Sequence, residues 1–71
     1  MTLTSATIAR LTGDPDRTVR YRLQRWHERG GPVTRTARPG GGWQYCVALE
    51  DYAARVGRDP EELRVELSEA A

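Results

Sequence analysis

Seventy-one residues with a formal net charge of +1 make one small domain, near the size at which a single core is only just sufficient without staples or a partner. One cysteine and one histidine exclude an internal disulfide and leave no metal-ligand set. With no phosphate-binding glycine signature ahead of a helix either, neither an enzyme nor a cofactor is expected. No apolar stretch approaches bilayer length and no charged leader precedes an apolar run, so the expected setting is the cytoplasm.

The small net charge hides a strong asymmetry. All eleven basic residues are arginines; residues 1–46 hold eight of them against three acids, and residues 47–71 hold three against seven acids. Such a split suits an anionic partner for the first two-thirds and a solvent-exposed or partner-facing acidic end. The plainer alternative is that the two halves pair with each other.

In chain order, Thr2-Leu3 is too short to assign. Thr4 is a good N-cap for a helix over Ser5–Thr12, in which Ile8 and Leu11 stand three apart and Ala6 and Ala9 are small enough to admit a second helix. Gly13 follows the last periodic residue, where a left-handed backbone is favoured. Asp14-Pro15 is a helix-start signal, with Asp14 as capping side chain and Pro15 as first helical residue. In the helix that follows, Val19, Leu23 and Trp26 form an apolar stripe; Arg17, Tyr21, Gln24, Arg25 and Glu28 lie opposite, and Arg20 and His27 flank it. Helix, glycine turn, helix is the helix-turn-helix arrangement. Arginines with an interleaved aromatic and amide suit phosphates and guanine edges, although a solvated amphipathic helix has the same pattern.

Gly30-Gly31-Pro32 stops the second helix. VTRTAR and WQYCV then read as two short strands around a glycine-rich tip, a hairpin wing whose Trp43, Tyr45 and Val47 share the face expected to pack on the helices. Trp26, Trp43, Tyr45 and Tyr52 are all expected in the core, because so small a chain has few other large apolar side chains, and His27 is expected as a solvent-facing group. Leu49, Tyr52, Ala53 and Val56 fall at helical spacing before Gly57. Asp59-Pro60-Glu61-Glu62 opens a last helix, about Pro60 to Ala70, with Leu63 and Leu67 on one side; closing the core, dimerising and fraying all remain open for it.

The fold class is therefore mainly α with a small β-hairpin, three to four helices plus a wing. Residues 1–57 form the helix-turn-helix unit, and 58–71 an acidic C-terminal helix that is either part of the same domain or an interaction tail. Over about residues 3–57 the chain resembles the winged helix-turn-helix domains of the MerR and phage excisionase type. The residues that carry the resemblance are Gly13 with Arg17-Thr18-Val19-Arg20-Tyr21, and Gly42-Trp43-Gln44-Tyr45 leading to Glu50-Asp51. Asp14 and Arg22 depart from it, standing where the family usually has an apolar and an aromatic residue. The long dimerisation helix and effector-sensing portion of full MerR regulators have no counterpart in these 71 residues, so a small-molecule-sensing activator is not the expected role.

The resemblance implies a protein that binds double-stranded DNA: an excisionase-like recombination directionality factor or small transcriptional regulator, bacterial or phage and nucleoid-associated when bound. Arg17, Arg20, Tyr21, Gln24 and Arg25 would lie in or along the major groove. Thr4 and Ser5 at the start of helix one, and Arg35 and Arg38 in the wing, would meet the backbone or a minor groove. A second copy, or a recombinase or polymerase subunit at the acidic helix, is a further expected partner. The DNA-binding module of a phage transposase or terminase machine, and a protein-interaction adaptor, are the alternatives.

Overall fold

The computed structural model describes residues 1–70, so residue 71 of the expected acidic segment lies outside the described residues. The organising strand is β3 (Trp43–Ala48), in which Tyr45 and Val47 point inward at the two-residue period of an extended chain. It is hydrogen-bonded on both sides: β2 (Val33–Ala37) returns antiparallel as a hairpin, and β1 (Thr2–Thr4) pairs on the other edge with Leu3 opposite Val47. Sheet order is thus β1-β3-β2, one strand more than the expected hairpin. Three residues cannot display a period, so β1 is visible only through its distant partner. Leu3 is fully buried there.

Four helices complete a small α+β domain: α1 (Ser5–Thr12), α2 (Asp16–Glu28), α3 (Leu49–Val56) and α4 (Pro60–Ala70). Thr4 caps α1 through its side chain, which accepts from the Thr7 N–H at 3.2 Å. Gly13 ends α1 with φ +81°, its N–H donating to the Ala9 carbonyl at 2.8 Å. This is the left-handed cap that a side chain would strain.

The start of α2 differs from expectation. Pro15 is the N-cap rather than the first helical residue, with extended backbone and its carbonyl accepting from Val19 N–H at 3.1 Å. Asp14 does not cap: Arg22 draws its carboxylate away at 2.8 Å, and its N–H donates to Thr12 Oγ1 at 3.2 Å. A charge-assisted pair two turns along the helix has displaced a local cap.

The core lies between sheet and helices. Ile8, Val19 and Leu23 enter it from α1 and α2, Leu49 and Ala53 from α3, and Leu63 from α4, with Leu67 packed alongside. Leu63 is fully buried, so α4 closes the core. Burying a leucine contributes about 1.5–3 kcal/mol, a large share of what a domain of this size has in reserve. At the α4 start, the Asp59 carboxylate accepts from Glu61 N–H at 3.0 Å, as its sequence signature predicts.

Candidate nucleic-acid interface

Arg17, Tyr21 and Gln24 stand one helical turn apart on the solvent face of α2, and the hairpin faces them. Between the two runs an open groove of about 420 Å³, lined by Arg17, Arg20, Tyr21 and Gln24 on one side and by Trp43 and Tyr45 on the other. A second groove, of about 380 Å³, lies between the start of α1 and the hairpin; Thr4, Ser5, Arg10, Arg20, Arg38 and Trp43 contribute to its walls. Arg20 and Trp43 belong to both and so form the ridge between them.

Seven of the nine residues expected at the site therefore converge on two adjoining grooves, and Arg25 and Arg35 line neither. Arg25 is exposed beside the groove on α2. Arg35 is exposed and stacks along the hairpin, its guanidinium 4.0 Å from the centroid of the Trp43 ring. Ser5 is buried at 8% exposure and the Thr4 hydroxyl already serves as a cap, so that end of α1 forms the groove's rim with little free hydroxyl to offer. Arg10 was missed: it sits one turn after Ala6, which is exposed in the same groove instead of meeting another helix. The signal was present in the (i, i+4) spacing of Ala6 and Arg10.

Two aromatic assignments also change. Trp43 is not in the core; it is 46% exposed, because β3 runs past the edge of the packed helices before its Trp43 end. Trp26 and Tyr52 are half-buried against the core, and Tyr45 is buried as expected. His27 is not a solvent group: its Nδ1 donates to the Val33 carbonyl at 2.8 Å, and its ring meets Tyr45 edge-on, centroids 6.0 Å apart. That bond ties the end of α2 to the first residue of β2, and so sets the hairpin's angle to the helix. At the tip, Gly41 N–H donates to the Arg38 carbonyl and Arg38 N–H to the Gly42 carbonyl, each at 3.1 Å. Gly40, Gly41 and Gly42 all have positive φ, the backbone conformation that lets this short turn close.

The charge arrangement is the clearest electrostatic feature. Every ion pair among the described residues stays within one half of the chain: Arg20 with Asp16 and Arg22 with Asp14 in the first, Arg58 with Glu62 and Glu66, and Arg64 with Glu50 and Glu61, in the second. Glu61, Glu62 and Glu66 of α4 are thus held by their own neighbours, and the hydrogen bond that Arg58 donates to Glu66 keeps the Arg58 guanidinium protonated even more firmly than usual. Arg10, Arg17, Arg25, Arg35 and Arg38 make no ion pair among the described residues. Among the described residues the two halves do not neutralise each other through ion pairs.

On the other side of α2, an apolar recess of about 240 Å³ is lined chiefly by Ile8, Leu23, Trp26, Tyr52 and Val56. Its polar lining is Thr12, Arg22 and Arg55 at the rim. Among the described residues no three His, Cys, Asp or Glu side chains are grouped to hold a metal, and no helix is long and apolar enough to cross a membrane. Comparison with protein-family models, with curated proteins and with solved structures found no match.

Proposed function

We propose that this chain binds double-stranded DNA as a winged helix-turn-helix protein, with α1 and α2 as the helix pair, α2 as the recognition helix and the β2–β3 hairpin as the wing. The observation that carries this reading is the adjoining pair of grooves that the hairpin forms with α2 and with the start of α1, lined by arginines while Glu50, Glu61, Glu62 and Glu66 of the second half pair with Arg58 and Arg64. Arg17, Arg20, Tyr21 and Gln24 offer side chains from α2 suited to base edges and phosphates of a major groove, and Arg38 at the hairpin tip supplies charge to the flanking backbone. Within this class, the resemblance favours an excisionase-like recombination factor or a small transcriptional regulator acting in the cytoplasm.

The test is a gel shift with a random-sequence duplex and with a duplex selected from a random library, across a salt series. Affinity should fall steeply with salt, by close to one logarithmic unit per unit of log salt for each phosphate contacted. Binding that ignores salt, or none to any duplex, sinks the proposal. A protein-interaction adaptor is the second reading, supported by Val65, which is 54% exposed on α4 beside Glu61, Glu62 and Glu66. It predicts no duplex binding at any salt concentration.

A further inference from the structure

A recognition helix in a major groove and a wing at the neighbouring minor groove leave one place for the strand that divides those grooves: the trough between helix and wing. That trough is more than a phosphate track. Beside Arg17 and Arg20 it holds an exposed indole, Trp43.

The exposure of Trp43 stands out against its own strand. Tyr45 and Val47, on the same face, are 6% and 1% exposed, whereas Trp43 is 46% exposed. Its cross-strand partner is Ala37, so only a methyl group stands directly opposite. One ring face is covered by the Arg35 guanidinium at 4.0 Å, and the side chain also forms, with Arg20, the ridge between two arginine-bearing grooves. A large aromatic left half in water gives up burial free energy, and a cation stacked on it restricts its rotamer before any ligand arrives.

In an intact duplex the bases are stacked on one another and offer no free face to an aromatic ring. The apolar surface available on a strand between successive phosphates is the sugar. An indole between two cationic grooves matches that chemistry, with carbon surface against the sugar and arginines on the phosphates to either side.

We propose that Trp43, braced by Arg35, is a sugar-contact residue that grips the deoxyribose face of the strand running between helix and wing. This rests on the DNA-binding reading above. It assigns Trp43 a positioning role independent of sequence, and Arg35 a role through Trp43 in addition to its charge.

The experiment is binding of parent, Trp43→Ala and Trp43→Phe to the selected duplex, a random duplex and a single strand across a salt series, with melting curves to establish that each variant is folded. Trp43→Ala should weaken both duplexes by a similar factor, about tenfold, with an unchanged salt slope because no charge is removed. Trp43→Phe should recover most of the loss. In the Trp43→Ala background, Arg35→Ala should cost less than it does in the parent. The inference is overturned by a folded Trp43→Ala variant that binds duplexes within twofold of the parent. Losses confined to the selected sequence would make Trp43 a base reader instead, and losses confined to the single strand would make it a stacking platform. Strictly additive losses would remove the brace. A parent that binds no duplex overturns the DNA-binding reading itself, and this inference with it.

Discussion

Arg20 Nε lies 3.1 Å from Asp16 Oδ2, one helical turn back, yet the N–H points off line and the nitrogen, shielded from solvent, has no hydrogen-bond acceptor among the described residues. The contact is an ion pair in which the most central arginine of the candidate interface is held by a carboxylate that itself lines a groove. Asp16 suits the positive end of α2, which accounts for an acid at that position, but it opposes any phosphate there. Asp16→Asn should therefore raise duplex affinity about two- to fivefold at low salt and lower stability by about 0.3–1 kcal/mol. Unchanged or weaker binding would show that Asp16 does not restrain Arg20.

Gly31 is needed for space. A Cβ placed on it would lie 2.2 Å from Trp26 Cδ1 and 2.9 Å from Cγ, atoms close to the root of the indole that cannot swing aside. Its N–H also donates to the Trp26 carbonyl at 2.9 Å, which fixes the approach. Gly31→Ala should cost about 1–3 kcal/mol through displacement of Trp26. The loss should shrink when Trp26 is first replaced by Leu, and melting curves of the four combinations decide it.

Leu63 tests whether α4 is integral. It is fully buried, and Leu63→Ala should destabilise the domain by about 2–5 kcal/mol, enough to abolish a cooperative melt in so small a chain. A melting temperature equal to the parent's would return α4 to the status of a tail.

The elements legible from sequence were those with a local signal. α1 carries its apolar period between the Thr4 cap and the left-handed stop at Gly13, α3 ends at Gly57, and α4 opens at Asp59. What sequence could not show depended on distant partners. β1 exists because Leu3 meets Val47, Asp14 abandoned the cap because Arg22 reaches it, and His27 is oriented by Val33. The candidate site was legible as a set of arginines on one helical face. Its shape was not, because the exposure of Trp43 depends on where the helices stop covering β3.

Tyr52 supplies a pH dependence. Burial first, then the negative charge of Asp14, raise its phenol above the ordinary value of 10.0, while Arg22 and Arg58 pull it back. A group whose folded pKa is raised contributes stability that is present below the unfolded value and lost as pH rises through the folded one. The melting temperature should therefore decline above about pH 10. Tyr52→Phe should flatten part of that decline; an unchanged alkaline limb would assign it to other groups.

The two arginine positions of the candidate interface should fail differently. Arg20 projects from α2 at the ridge between the grooves, where a planar guanidinium can reach a guanine edge, and Arg38 sits at the hairpin tip, where it meets backbone. A simple Arg20→Ala variant is confounded, because it leaves the Asp16 carboxylate unpaired beside the DNA and so penalises every sequence. The comparison is therefore made in the Asp16→Asn background. There, Arg20→Ala should cost about 1–3 kcal/mol on the selected duplex and much less on random DNA, flattening the sequence preference. Arg38→Ala should weaken all duplexes alike and reduce the salt slope by about one unit. The hydrogen-bonded turn at Gly41 and Gly42 limits the entropy lost when the tip docks, so the Arg38 contact should retain most of its electrostatic value. If Arg20→Ala instead weakens every duplex equally while Arg38→Ala changes the preferred sequence, base readout belongs to the wing and α2 only positions it.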